Sequence, residues 1–338
     1  MKSLTLIKIG ALGDVVRTSY IVNTLKRNFN YDITWITDES CSDLLKYNPN
    51  IDRVLYLDSE LPKETDILIC LEDQYQHVKL SNQIKSKKNI GSYIDGNNLV
   101  KYTDDTRDWF DMSLISNRGR NIANELKKKN TKSFNEIFSK VFNIQVSDIK
   151  PEFFYGEKYN SAASAHRSKN KVIGLNLFAG KRWPSKEISI NTIKSLLSSI
   201  SNYLDSQTID YSYVLFCDDS NIHRAGDIVL PNKGITIKNT NLNVLDFSAN
   251  VKNCDYVITT DSLGMHLAIA NNVNHLSFFS PTSANEIDDF GYAKKVVSTS
   301  EDYCSYKPYT DNKSLSYTRL FEAWLEHTKN IGWYAQQL

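Results

Sequence analysis

The fold class this sequence predicts is α/β, with two doubly wound parallel-sheet halves, and three observations predict it. Short apolar runs alternate with longer segments of helical period, the rhythm breaks and restarts near the middle of the chain, and three of the runs lead straight into polar or glycine-bearing turns followed by a helix. The length agrees: a single hydrophobic core stops growing at about 250 to 300 residues, and this chain has 338.

Taken in order, LTLIKIG (4 to 10) reads as a strand, VVRTSYIVNTLKRNF (15 to 29) as a helix, DITWIT (32 to 37) as a strand and the polar stretch near 40 to 47 as a helix. VLYL (54 to 57) and ILICL (67 to 71) continue the series as buried strands, because fully covered parallel strands are continuous apolar runs rather than alternating ones. Residues 107 to 142 interrupt the pattern with two consecutive helices carrying aromatic, Leu and Ile positions on one side. The strand rhythm resumes with KVIGLNL (171 to 177), a helix over about 186 to 204, YSYVLFC (211 to 217), ITIKN (235 to 239), a helix from Val244 to Val251, YVITT (256 to 260) and HLSFFS (275 to 280). The expectation is two Rossmann-like domains, 1–165 with a helical insertion near 107–142 and 166–315, closed by a helix at 316–338 packing across them.

Composition excludes several classes. Lys and Arg total 40 against 39 Asp and Glu, so no overall field gathers nucleic acid, and membrane contact is expected to be peripheral at most. The five cysteines, Cys41, Cys70, Cys217, Cys254 and Cys304, are far apart and form no C-x-x-C pair, which argues against a disulfide framework or a zinc site and for a reducing cytoplasm. MKSLTLIKIG is too short an apolar stretch for a signal-peptide core and is interrupted by Lys8. No H-E-x-x-H, G-x-S-x-G or strand-flanked D-x-D occurs, so metalloprotease, serine hydrolase and metal-bridged transferase readings each lack their part.

In open parallel sheets ligands bind beyond the carboxyl ends of the strands, and three loops there carry polar chemistry. In the first, Gly10 and Gly13 permit a sharp turn and close approach, and Asp14 falls at the helix start, either as a helix cap or as a catalytic carboxylate. The second, NLFAGKRWPSKE (176 to 187), gathers Lys181, Arg182 and Lys186 where a helix N-terminus already favours anions, with a solvated basic turn anchored by Trp183 as the alternative. The third runs from YVITT through Asp261-Ser262-Leu263-Gly264 into a helix. Its first backbone N–H groups and the Ser262 hydroxyl could meet an anion, and Asp261 could accept from sugar hydroxyls. His266 lies one turn inside, either packed or near the ligand, and Thr282 with Ser283 forms a hydroxyl-bearing turn after the next strand. Asp218 and Asp219 could hold a ribose, but a solvated turn is their more common use.

In this order the three loops resemble glycosyltransferase family 9, the heptosyltransferases that use ADP-heptose. IKIGALGDVVRTSYIVNTLK is similar to that family's opening strand, loop and helix, the RWP of GLNLFAGKRWPSKE to its central loop, and VITTDSLGMHLAIA with FFSPTSANEI to its donor-site signature. WFDMSLISNRGRNIANELKKKNTKSFNEIF resembles the subgroup related to bacterial autotransporter heptosyltransferases. The resemblance implies a GT-B fold, two Rossmann-like domains facing a central cleft, with inversion at the anomeric carbon, no cofactor, and no metal at the phosphates. It implies Asp14 as base, Lys181 as phosphate ligand with Arg182 beside it, Asp261 holding the donor sugar, and Leu242 with Asn243 as backbone near adenine. The partners implied are a nucleotide-sugar donor and a glycan, lipopolysaccharide-core or protein acceptor, met in the cytoplasm or at the inner face of its membrane. Departures from the family pattern are Ser262 in place of the usual Thr, Leu177 and Phe178 in place of small residues, CDDSN after VLFC, and a C-terminal segment that keeps only Cys304 of a cysteine cluster. An epimerase on the same architecture, or a sugar-binding protein without turnover, are the other readings this fold permits.

Overall fold

The computed structural model describes residues 1–159, 170–180, 183–228, 234–240 and 243–334. It divides into two compact units, Met1–Phe154 with Asn285–Asp288, and Tyr155–Ala284 with Asp289–Leu338.

The first unit holds β1 (Ser3–Ile7), β2 (Asp32–Thr37), β3 (Arg53–Tyr56), β4 (Glu64–Cys70), β5 (Lys85–Ile94) and β6 (Val100–Tyr102), in the order β3-β2-β1-β4-β5-β6. All neighbours run parallel except β6, which returns antiparallel to β5. β1 lies at the centre, with Leu4 facing Ile33 on one side and Ile67 on the other. VLYL is not a buried strand as expected. β3 is the sheet edge, only half covered, and Leu57 beyond it is exposed, because no further strand pairs its outer side. β5 and β6 were not legible as strands. Lys85, Lys87, Lys88 and Asn89 are polar or charged, and the apolar half begins only at Ile90. Gly91 in β5 has φ +95, and a Cβ there would stand 2.0 Å from the Cys70 carbonyl oxygen, so only glycine allows β5 to approach β4 at this point.

The helices of this unit are α1 (Leu12–Phe29), the single turns α2 (Ser42–Leu45), α3 (Tyr75–Val78) and α4 (Arg107–Phe110), then α5 (Arg120–Lys129) and α6 (Phe134–Phe142). α1 is buried on most of its circumference, from Val15 and Val16 through Thr18 to Leu25, and ends where Asn30 takes a left-handed conformation and its N–H bonds to the Lys26 carbonyl. The expected first helix of the 107–142 segment is shorter than its pattern suggested and is split into α4 and α5 by a run of turns over 111–119. α6 begins with a capping box in which Ser133 and Glu136 satisfy each other's backbone N–H groups. It packs Phe134, Ile137 and Phe138 beside α1, and burying each such side chain contributes about 1.5 to 3 kcal/mol.

The second unit holds β7 (Lys171–Asn176), β8 (Tyr211–Cys217), β9 (Ile235–Asn239), β10 (Tyr256–Thr260), β11 (His275–Phe279) and β12 (Ala293–Val297) in one parallel sheet, ordered β12-β11-β10-β7-β8-β9. Counted from β7, this is the doubly wound order 3-2-1-4-5-6. Its core joins Ile173, Leu175, Tyr213 and Ile258 of the sheet to Leu196 and Ile200 of α7 (Ile190–Ser206). Further helices are α8 (Ile222–Gly226), α9 (Val244–Lys252), α10 (Leu263–Ala270) and α11 (Tyr317–Asn330). α11 packs on α7, β11 and β12 of this same unit, with Leu320 and Trp324 in its core and His327 Nδ1 2.7 Å from the Tyr256 hydroxyl. These contacts account for its apolar face. β12 escaped the sequence reading because Lys294 and Lys295 break its apolar run.

The division falls at Phe154/Tyr155 rather than near residue 165. Tyr155 already belongs to the second unit, its hydroxyl bonded to Ser248 at 2.7 Å and Asn271 at 2.8 Å. Among the described residues no helix is long and apolar enough to cross a membrane.

Candidate functional site

In each sheet the strand order reverses at one place, between β1 and β4 in the first unit and between β7 and β10 in the second, and the loops leaving those strands carry the clustered polar groups.

In the first unit, Asp14 is the third residue of α1. The residue at the cap position is Ala11, with no side-chain cap, so Asp14 does not cap the helix. Its carboxylate meets two cations instead: Arg17 Nη2 is 2.8 Å from Oδ1 and Lys8 Nζ is 3.8 Å from Oδ2. Lys8 is nine-tenths buried because it points beyond the end of β1 to Glu72, the residue after β4 and Leu71. Glu72 Oε1 accepts from Lys8 Nζ at 3.0 Å and from the Ile9 N–H at 2.8 Å, and its Oε2 lies 3.4 Å from His77 Nδ1. Burying a carboxylate is costly unless it is paired and hydrogen-bonded, and Glu72 is both. Gly13 is the second residue of α1, and a Cβ at Gly10 would meet nothing within 4 Å, so the space beside this loop is open.

In the second unit, Asp261 is buried directly after β10. Lys186 Nζ donates to its Oδ2 at 2.7 Å and to its carbonyl at 2.8 Å, and Thr282 Oγ1 donates to Oδ2 at 2.6 Å. The Thr260 hydroxyl in turn holds the Lys186 carbonyl at 2.5 Å. Burial alone would raise the Asp261 carboxyl. The Lys186 charge, the charge of His266 and the hydrogen bonds from Lys186 and Thr282 outweigh it and hold the group below the ordinary carboxylate range. His266 is thus buried one turn inside α10 and acts on Asp261 through its charge.

The N-terminus of α10 is packed against Asn176 at the end of β7. Asn176 Nδ2 donates to Ser262 Oγ at 2.7 Å and to Thr259 Oγ1 at 2.9 Å, and a Cβ on Gly264 would fall 2.4 Å from the Asn176 side chain. Gly264 is therefore required by close approach and not by backbone conformation. Ser262 precedes Leu263, the first residue of α10, without a side-chain cap bond. In a helix the leading N–H groups have no intrahelical partner, which leaves them for an anion.

One expectation changes here. Lys186 is spent on Asp261 and so is not one of three free cations for a diphosphate. Lys181 and Arg182 lie outside the described residues, as does Leu242. Asn243 uses its side chain to cap α9, accepting from the Leu245 N–H at 2.7 Å while donating to the Tyr159 hydroxyl at 3.1 Å. Asp218 caps the turn at 219–221 through the Asn221 N–H, and although burial raises its carboxyl, the bonds from Ser220 and Asn221 hold it lower, as a structured turn requires. Sequence reasoning missed Lys8, Arg17, Glu72, His77 and Asn176. The signals available were a lysine closing an apolar strand and a glutamate directly after ILICL.

No family model matches the chain, and no curated protein does. Solved structures do. A glycosyl transferase of family 9 from Veillonella parvula aligns with a TM-score of 0.71 at 16% identity, covering 97% of this chain and 98% of that one. E. coli ADP-heptose lps heptosyltransferase II aligns at 0.64 and 14%, covering 98% and 100%. TibC, an iron-containing dodecameric glycosyltransferase of enterotoxigenic E. coli, aligns at 0.55 and 12%, covering 98% and 77%. The chain therefore has the GT-B fold, with two parallel-sheet units of six strands each. Structures of glycosyltransferase family 9 share that fold with it end to end.

Proposed function

We propose that this protein is an inverting glycosyltransferase that moves a sugar, with heptose the first candidate, from a nucleotide-diphosphate sugar, with ADP-heptose the first candidate, to a hydroxyl of a glycan, lipopolysaccharide-core or protein acceptor. The observation that supports this most is the presence of two differently built carboxylates, one at each switch point: Asp14 beside two cations in the first turn of α1, next to the open loop at Gly10, and Asp261 buried and ion-paired next to a helix N-terminus. Inversion by direct displacement needs a base on the acceptor hydroxyl and neutralisation of the departing diphosphate. Asp14 takes the acceptor proton as the new glycosidic bond forms and the bond to the diphosphate breaks. The leading N–H groups of α10, with Lys181 and Arg182 of the basic loop, take the negative charge of the leaving group. Asp261 carries both its side-chain bonds on Oδ2, which leaves Oδ1 to accept from a hydroxyl of the donor sugar. No metal is assigned to the phosphates in this reading, because Asp261, the carboxylate it sets beside them, is already paired with Lys186.

The test is thermal unfolding with ADP-heptose and a panel of other nucleotide sugars, followed by product analysis. A donor at 100 times its Kd stabilises by about 2.7 kcal/mol, a readily measured rise in Tm. Transfer should persist in excess EDTA. Activity that collapses with chelator and returns with Mg²⁺ would overturn the phosphate assignment, and turnover of the donor in the absence of any acceptor, with an isomerised sugar as product, would favour an epimerase.

A further inference from the structure

The helical segment 107–142 has no role in the chemistry described so far, yet it packs against the residue that holds Asp14. Arg17 lies one turn beyond Asp14 on α1, and its side chain is 14% exposed. The guanidinium carbon stands 4.7 Å from the centre of the Phe134 ring and 5.2 Å from that of Trp109. Those two rings meet edge to face at 5.1 Å and continue into Phe138, 4.5 Å from Phe134, so the surface beneath the guanidinium is a continuous aromatic cluster drawn from α4 and α6. Nε of Arg17 is buried with no hydrogen-bond partner among the described residues, while Nη2 reaches Asp14 Oδ1 at 2.8 Å. An arginine buried against rings, with one of its nitrogens left without a partner, is held by stacking and directed by its shape, which a lysine on a flexible stem does not reproduce.

We propose that Arg17 is the positioning residue for Asp14, and that the 107–142 segment serves the reaction by locking Arg17 between Trp109 and Phe134. The inference rests on the reading of Asp14 as the base. The charged and titratable groups around that carboxylate come from four elements: Arg17 on α1, Lys8 after β1, Glu72 after β4, which engages Lys8, and His77 on α3, which engages Glu72. Among the described residues Arg17 is the cation at direct hydrogen-bond distance from the carboxylate, and it sets both the direction in which Asp14 presents its second oxygen and much of the local positive charge. Lys8 is further away and shared with Glu72.

The experiment compares Arg17→Met, Arg17→Lys and Trp109→Leu with the unaltered protein, each confirmed folded by its thermal transition. Arg17→Met is expected to lower kcat by about 30-fold with donor KM changed less than about twofold, and to move the acid limb of the pH profile upward by about one unit, since losing a nearby cation disfavours the carboxylate. Arg17→Lys keeps the charge without the stack, so the acid limb stays near its original position while kcat falls about fivefold. Trp109→Leu should behave like Arg17→Lys. A second readout does not depend on turnover: carboxyl carbon NMR titration of the free protein, with Asp14→Asn identifying the Asp14 resonance. Folded Arg17→Met protein with an unmoved Asp14 titration and unchanged kcat overturns the inference while leaving the proposed function intact. Full turnover in Asp14→Asn together with a moved Asp14 titration in Arg17→Met overturns the base assignment and leaves the Arg17–Asp14 coupling standing.

Discussion

Asp14 and Asp261 hold comparable places, each beyond a central strand and beside the N-terminus of a helix, but their surroundings differ. The Asp14 side chain is 35% exposed and meets its cations from the side, one at 2.8 Å and one at 3.8 Å. The Asp261 side chain is 10% exposed, and a single oxygen takes bonds from both Lys186 and Thr282. A group that must accept a proton from an incoming hydroxyl needs a reachable oxygen, whereas a group that must hold a fixed geometry gains from burial and satisfied bonds. The comparison teaches that residue type and position on the fold leave the role open, and that the loops packed around each carboxylate decide it.

The contrast is broken most severely by removing the buried partner. Asp261→Ala leaves Lys186 without its counter-charge, and loss of one member of a buried pair costs about 3 to 5 kcal/mol, to be read from urea unfolding near neutral pH. The pH dependence sharpens the assignment. Because the folded state lowers the Asp261 carboxyl, the stability it contributes is present above its unfolded value of about 3.9 and is lost as pH falls through the lower folded value. The stability gap between the unaltered protein and Asp261→Asn should therefore stay level above about pH 5 and narrow as pH falls below about 4. A constant gap would mean that the charge on Asp261 contributes nothing.

Asp14→Asn should act in the opposite way. Turnover falls at least about 100-fold, about 2.7 kcal/mol of barrier, while stability changes by less than about 1 kcal/mol because ion pairs at a partly exposed carboxylate are weak. Donor affinity, measured by calorimetry, should be nearly unchanged. Equal loss of donor affinity and stability would make Asp14 a structural residue and not the base. The smallest effect belongs to Thr282→Val, which removes one hydrogen bond to a charged carboxylate that keeps its lysine, for a loss of about 1.5 kcal/mol in unfolding free energy. A loss as large as that of Asp261→Ala would show that Thr282, rather than Lys186, holds the pair together.

Much of this architecture was legible because buried parallel strands are continuous apolar runs. β1, β2, β4, β7, β8, β10 and β11 each announce themselves that way, and the three loops that follow the central strands stand out by their glycines and charges. The edges were harder to read. β3, β9 and β12 at the sheet edges, and the part of β5 at 85–89 that β6 does not pair, carry exposed or charged positions, and of these only β9 and β3 were recognised, the latter with the wrong burial. Within the sites, the sequence singled out Asp14, Asp261, Lys186 and Thr282, but not which of them pair, and not Lys8, Arg17 or Glu72. Lys8 and Glu72 are 64 positions apart and Lys186 and Asp261 are 75 apart, so no local spacing links them.

Local chemistry by itself determined the two-sheet α/β class, the position of the polar loops after the central strands and the residue types available there, because strand period, helix period and turn composition act over a few residues. The tertiary structure alone decided that Asp14 meets Arg17 and Lys8 instead of capping its helix, that Lys186 neutralises Asp261 instead of standing free, and that Gly264 is demanded by Asn176. Those outcomes depend on which strands become neighbours in the sheet. β1 beside β4 brings Lys8 to Glu72, and β7 beside β10 brings Asn176 to Ser262, pairings set by burial of the whole core and not by any segment of the chain taken alone.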